Sequence, residues 1–301
     1  MHNVDRPRGI VDAVIDTDAY NEIDDQFAVS YLLCAGDRVN LRALYAAPFL
    51  NEKSTSPADG MEKSYREIHN LLRLAGREEL CAVTYRGAER YLPDERTPVM
   101  SDAVRDLIGR ARAYTPENPL YVLAIGAITN VASAFLAAPE IARSTVVVWL
   151  GGHAFHYPHN REFNCQQDVA AVRVVFNSGA QLVQLPCGGV VDALRTTEPE
   201  LRAWLGGKSA LCDYLVAHTV EEAEGYAKGK PWSRVIWDIS VVAWLLDAEE
   251  EAVRSRAERR PIAQYDHHYS FSPDRPLMEY VYQIDRDRVF EDLFRRLAAG
   301  R

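Results

Sequence analysis

The 301-residue chain has no apolar run approaching the roughly 18–20 residues that a membrane-spanning helix requires, the longest being stretches such as 144–150. Its opening residues, Met1 to Arg8, are polar and charged, and no apolar stretch resembling a secretory signal precedes Gly9. A mature cytoplasmic protein is expected. A basic block is also missing: 34 Lys and Arg are spread along the chain against 43 Asp and Glu, a formal net charge of -9. Phosphate neutralisation needs a basic face, so nucleic acid is excluded as the main ligand, and no membrane partner is expected. The five cysteines, Cys34, Cys81, Cys165, Cys187 and Cys212, form no C-x-x-C and no Cys/His pair at zinc spacing. They read as small buried hydrophobes with reduced thiols. Cys165 alone lies in a polar stretch and is weighed for a chemical role. No linker rich in Pro, Gly or Ser and no internal repeat interrupts the chain. With 48% hydrophobic and 26% charged residues, disorder is excluded and a single domain over 1–301 is expected.

What is present is an alternation of strand and helix patterns. Residues 9–16 (GIVDAVID) form a short apolar run ending in an acid, and 26–35 carry an apolar face at helical spacing. Residues 39–47 read as a second strand, 59–75 as an amphipathic helix closed by Gly76, and 86–98 as a Pro-bearing loop. A helix over 101–114, a strand over 120–125 and a helix over 129–138 stopped by Pro139 follow. Then come a β-branched strand over 145–150, a helix over 168–177 and a strand over 181–185. Strands separated by helices of this length pair in parallel through right-handed crossovers, which predicts an α/β fold: a mostly parallel central sheet with helices on both faces. The part after Glu198 reads as a mainly helical C-terminal appendage, with 265–284 as the main exception.

Ligands of such sheets gather outside the carboxyl ends of the strands. There the first strand ends in Asp16-Thr17-Asp18 and the next helix opens with Asp24-Asp25. Four carboxylates within ten residues repel one another at low dielectric, which calls for a cation. Carboxylate oxygens are hard ligands, so calcium or magnesium is expected, not zinc or copper. A plainer reading has Asp24 and Asp25 complementing the helix dipole while Asp16 and Asp18 face water. Other strand ends supply Asn51, the segment from Gly126 to Asn130, and a polar segment after Gly151-Gly152 that holds His153, His156, His159, Glu162 and Asn164. These side chains offer donors and acceptors suited to sugar hydroxyls.

The ordered set D-T-D…D-D, Asn51, A-I-G-A-I-T-N, G-G…E-F-N and Asp238 opening a late apolar helix (WDISVVAWLL) resembles the inosine/uridine-preferring nucleoside hydrolases, in order from about Val14 to Leu246. The resemblance implies a calcium ion at the carboxyl edge of the sheet, held by Asp18, Asp25, the main-chain carbonyl of Thr129 and Asp238. It implies that Asp18 is also the general base for the attacking water, and that Asp16 supports the cluster from beneath. Asp24, Asn51 and Asn164 would hold the ribose 2′- and 3′-hydroxyls, and Glu162 the 5′-hydroxyl. The implied activity is calcium-dependent hydrolysis of the N-glycosidic bond of a ribonucleoside or related ribosyl compound, releasing base and ribose, as in purine and pyrimidine salvage. A homodimer or homotetramer is implied by resemblance only.

The chain departs from the family pattern in three places, one being that Gly151-Gly152 and Glu162 stand somewhat closer than is common, which leaves the base-side contacts unassigned. Many members carry a histidine before the late aspartate; here the residue is Trp237, which either stacks on the base or belongs to the core. His153, His156 and His159 are replacement candidates for activating the leaving group, and Tyr226 and Trp232 are candidates for a lid over it. The loop between Asp18 and the Asp24-Asp25 pair is longer than usual and carries Asn21 and Glu22, either of which can reach ion or sugar. The split of roles between Asp24 and Asp25 is therefore open. Two other classes stand beside this one. A phosphatase of the haloacid dehalogenase type also ends a strand in D-x-D, but Tyr20 stands where it wants Thr or Val and no later Lys with an acidic pair is evident. A non-catalytic ribosyl-binding protein would keep the metal and lack leaving-group activation.

Overall fold

The computed structural model describes residues 4–300. Its frame is an eight-stranded sheet built from β1 (Val11–Thr17), β2 (Val39–Ala46), β3 (Thr84–Arg86), β4 (Leu120–Ala124), β5 (Thr145–Leu150), β6 (Gln181–Leu185), β9 (Val253–Arg259) and β12 (Leu277–Ile284). The spatial order is β3-β2-β1-β4-β5-β6-β12-β9. All neighbours run parallel except β9, which is antiparallel to β12 at the edge. Two short pairs lie apart from it: β7 (Arg195–Thr196) with β8 (Arg234–Val235), and β10 (Ile262–Ala263) with β11 (Tyr269–Ser270).

The helices are α1 (Ile23–Leu33), α2 (Pro57–Leu74), α3 (Asp102–Ala111), α4 (Thr129–Ala137), α5 (Phe163–Gln167), α6 (Val169–Asn177), α7 (Glu198–Leu205), α8 (Ala210–Ala227), α9 (Ile239–Leu246) and α10 (Arg286–Ala299). They divide between the two faces of the sheet, and each face has its own core. In β1, Ala13 and Ile15 join the core that holds α1 and α9, while Val14 joins the one that holds α3, α4 and α6. This is the two-residue alternation of a strand covered on both sides. All residues of α1 are buried, because α2, α8, α9 and α10 pack around it. A helix covered all round has no need of a polar face.

The part after Glu198 is more than the expected helical appendage, since β12 and β9 complete the central sheet. Strand β9 (VRSRAER) is mostly exposed and polar, as suits an edge that discourages further pairing. Among the described residues no helix is long and apolar enough to cross a membrane. From β1 the chain first moves outward to β2 and β3, then returns to β4 and proceeds the other way. Strand order thus reverses at β1 and β4, and the crevice for a ligand opens beyond their carboxyl ends.

Candidate active site

The alternation that sorts the core also sorts the acids. Asp16 falls on the α4 side of β1, where its Oδ1 accepts from Asn130 Nδ2 at 2.7 Å. Asn130 Oδ1 in turn accepts from the Ala88 N–H at 2.8 Å. Thr17 falls on the α1 side, and its hydroxyl donates to Asp25 Oδ1 at 2.5 Å. Asp18, one residue past the strand, is fully buried, and neither of its carboxylate oxygens has a hydrogen-bond partner. Glycine is required opposite it at Gly126, where a Cβ would stand 2.7 Å from Asp18 Oδ1. Asp24 and Asp25 occupy the first turn of α1, and Asp238 the N-cap position of α9. One carboxylate oxygen from each of these three lies within 4.8 Å of the others.

Electrostatics follow from that crowding. Burial pushes Asp18 well above the ordinary carboxylate range, and the charges of Asp24, Glu22 and Asp16 add to the shift. Burial, then Asp18 and Asp24, do the same to Asp25, and burial with Asp24, Asp25 and Asp18 to Asp238. Asp24 is raised to about 7 by burial and Glu22, with Arg234 pulling the other way. Asp16 is also raised to about 7 by burial, partly offset by Asn130. Unpartnered oxygens remain on Asp18, Asp24 and Asp238, of which Asp24 and Asp238 belong to the three-acid cluster and Asp18 does not. A buried polar atom without a partner is costly, and several carboxylates sharing that condition suit a hard divalent cation.

Above the acids lies a cavity of approximately 220 Å³ lined by Asn21, Glu22, Asp24, Asp25, Ile125, Leu150, His153, Arg161, Glu162, Phe163, Asn164, Cys187, Trp237 and Asp238. A larger cavity of approximately 520 Å³, lined by residues such as Leu33, Leu74 and Leu297, has Asp37 and Arg296 in its wall. Those two are already paired at 2.5 Å. The convergence of unpartnered acids, and not volume, singles out the smaller cavity as the candidate site.

Its walls are rigidly tied. Asn164 Nδ2 donates to the carbonyls of Ile125 and Leu150, both at 3.1 Å, so it bridges the ends of β4 and β5 and leaves its Oδ1 for a ligand. Glu162 accepts three backbone N–H bonds, from Gly152 (2.7 Å), Asn164 (2.9 Å) and Cys165 (2.8 Å). It therefore caps α5 as well as lining the cavity. Burial still raises it to about 7. The positive φ of 73° at Gly152 lets that N–H turn to the carboxylate.

Asn51 is half-buried and outside the cavity lining, behind Asn21, with its Nδ2 donating to Asn21 Oδ1 at 2.7 Å and its Oδ1 accepting the Lys53 N–H at 2.8 Å. Lys53 Nζ donates to the Asn21 carbonyl at 2.7 Å and to Glu222 on α8 at 2.5 Å. The Thr129 hydroxyl donates to Asp168 at 2.7 Å. His156 does not join the site; it is exposed and outside the cavity lining, whereas His153 from the same segment lines it. Trp237 lines the cavity too, with its Nε1–H buried and unpartnered. Cys165 is buried and accepts from Asn160, and burial raises its thiol far from reactivity. Tyr226 is exposed and, like Trp232, is outside the lining.

One residue of consequence escaped the sequence reading. Arg234 donates to Glu22 at 2.9 Å, lies 3.6 Å from Glu222 and 4.0 Å from Asp24, and places its guanidinium 5.3 Å from the Trp237 ring centroid. Its only sequence signal is its position shortly before the Trp237-Asp238 pair.

A family model described as inosine-uridine preferring nucleoside hydrolase matches residues 13–291. The chain belongs to this family, and it is an N-ribohydrolase. Solved structures share its fold. A plant nucleoside hydrolase, PpNRh1, is 19% identical with a TM-score of 0.73, covering 96% of this chain and 99% of its own. A purine-preferring ribonucleoside hydrolase from Gardnerella vaginalis is 18% identical with a TM-score of 0.71, covering 96% and 98%. The type III effector protein XopQ, solved with adenosine diphosphate ribose, is 14% identical with a TM-score of 0.72, covering 98% and 95%. No curated protein matches the chain. The family is metal-dependent, and the acidic cluster stands where the strand order reverses. The phosphatase alternative is thereby removed.

Proposed function

We propose that the protein hydrolyses the N-glycosidic bond of ribonucleosides with a calcium ion seated among Asp18, Asp25, Asp238 and the Thr129 carbonyl. The observation that carries this reading is the set of buried, unpartnered carboxylate oxygens on Asp18, Asp24 and Asp238 beneath a cavity rich in hydroxyl-binding groups. A bound calcium would supply positive charge that ionises these acids and orients the attacking water and the vicinal hydroxyls.

The residues of the chain do the rest. Asp18, unpartnered and level with the end of β4, takes the proton from the attacking water. Asp16 and Asn130 hold the floor beneath it. Asp24 and the free Oδ1 of Asn164 accept hydrogen bonds from the ribose 2′- and 3′-hydroxyls, and Asn51, fixed through Asn21, completes that subsite. Glu162 turns a remaining lone pair to the 5′-hydroxyl. The ionised acids lie under the sugar, where positive charge develops as the glycosidic bond breaks. Of the pair in the first turn of α1, Asp25 is tied to Thr17 and Asp24 faces Arg234, which favours Asp25 for the ion and Asp24 for the sugar.

The test is a substrate panel. Ribonucleosides should release reducing sugar, and the 2′-deoxy counterparts should react about 10⁴-fold more slowly, because the missing hydroxyl leaves buried polar groups unpaired. Equal rates on the two series would contradict the ribose subsite.

A further inference from the structure

The lengthened loop between Asp18 and α1 is tied down at every residue. The Ala19 carbonyl accepts from Gln26 Nε2 at 3.2 Å, the Tyr20 N–H donates to Ser64 Oγ at 3.4 Å, and the Asn21 N–H donates to the Asp18 carbonyl at 2.6 Å. Lys53 holds the Asn21 carbonyl, and Arg234 holds the Glu22 carboxylate. Fixed in this way, Asn21 is buried and lines the cavity, with Asn51 behind it. Which end of the Asn21 amide faces the cavity follows from a donor whose identity is certain. The main-chain N–H of Lys53 donates to Asn51 Oδ1, so the Asn51 atom turned toward Asn21 is Nδ2, and Asn21 meets it with Oδ1. That leaves Asn21 Nδ2 for the cavity. Among the described residues it has no hydrogen-bond partner, and it is not one of the buried atoms sealed from solvent. An N–H group donates to a hydroxyl oxygen and cannot ligate a cation.

We propose that Asn21, and not Asn51 directly, touches the sugar: its Nδ2–H donates to one of the two vicinal ribose hydroxyls, and Asn51 is a positioning residue that acts through it. This rests on the N-ribohydrolase reading above. Asp24, once ionised, and Asn164 Oδ1 only accept, so each takes a hydroxyl proton and leaves lone pairs on the hydroxyl oxygen. Asn21 supplies the donor that such an oxygen needs. The lengthened loop thus inserts an amide between Asn51 and the ribose, and of the two partners open to Asn21, ion or sugar, it serves the sugar.

The test uses the calcium-loaded enzyme with inosine and uridine, each beside its 2′-deoxy and 3′-deoxy counterpart. Asn21→Ala should lower kcat/KM on the better ribonucleoside by about 10–100-fold, largely through KM. On the counterpart that lacks the contacted hydroxyl, the same substitution should cost less than about twofold, because the contact is already gone. Asn21→Asp keeps the acceptor for Asn51 and the main-chain bonds of the loop but has no N–H to give. It should show the same loss as Asn21→Ala, which separates a lost donor from a loosened loop. Asn51→Ala alone should cost less, and in the Asn21→Ala background it should add less than about twofold. Calcium binding by Asn21→Ala, read by isothermal titration, should match the wild type within about twofold. An equal loss on all three sugars of a series would overturn the inference, as would wild-type kcat/KM in Asn21→Asp. Calcium bound about tenfold more weakly by Asn21→Ala would overturn it too, by moving Asn21 to the ion. No sugar from either ribonucleoside with the wild type would overturn the N-ribohydrolase reading and this contact with it, whereas release unaffected by Asn21→Ala overturns the contact alone.

Discussion

At the scale of residues, the site is a set of buried acids whose oxygens lack partners within the protein. Asp18 is the most isolated, with both oxygens unpartnered. Replacing it with Ala should reduce kcat by about 10²–10⁴-fold, the range for a positioned base, while the circular dichroism spectrum stays that of the wild type. An unchanged rate would remove Asp18 from the mechanism. Much of this was legible in the chain, because D-x-D at a strand end with Asp-Asp opening the next helix is a local pattern. Arg234 was not, since its importance comes from lying over Trp237 and beside Asp24, contacts made across the fold. Nor was the choice among the histidines. His153 and His156 are three positions apart in one irregular segment, and only the turn of the backbone decides that His153 faces the cavity and His156 the solvent.

At the scale of elements, the site depends on how strand ends are tied to helix starts. Asn130, at the start of α4, joins Asp16 of β1 to the Ala88 N–H beyond β3. Asn130→Ala would leave both buried groups unpaired and should lower unfolding free energy by about 1–3 kcal/mol, read as a shifted midpoint in urea at constant slope. A midpoint unaltered from wild type would show that water replaces the amide. The β-to-α steps were readable because helical and two-residue periodicities alternate cleanly through β6. The last strands were not. β9 is an exposed, charged edge strand whose composition lacks an apolar run, and β3 has only three residues. β12 was visible as an exception to the helical pattern, but its place beside β6 follows from tertiary packing. Lys53, bonded to both Glu222 and the Asn21 carbonyl, similarly links α8 to the inserted loop, a connection that no local pattern announces.

At the scale of the whole molecule, the surplus of acid has a thermodynamic consequence. Asp16 and Asp24 are raised to about 7 in the fold, against about 4 in the unfolded chain. For an acid raised in this way the unfolded state loses its proton first. The stability it contributes is complete below about pH 4 and is lost as pH rises through about 7. The metal-free protein should therefore become less stable between these limits. A cation that binds the ionised cluster opposes the loss, and at 100 times its Kd it adds about 2.7 kcal/mol. The rise in Tm caused by calcium should be larger at pH 8 than at pH 5. An equal rise at both would separate ion binding from the buried acids.

The central claim is that a divalent ion on this acidic cluster supports release of ribose. Reducing-sugar formation from a ribonucleoside, followed in one sample through removal of metal by EDTA and replenishment with calcium, tests it most directly. The account predicts that release stops on chelation and resumes with calcium in the wild type, and is absent throughout in Asp18→Ala. Release that continues undiminished in excess EDTA would contradict it.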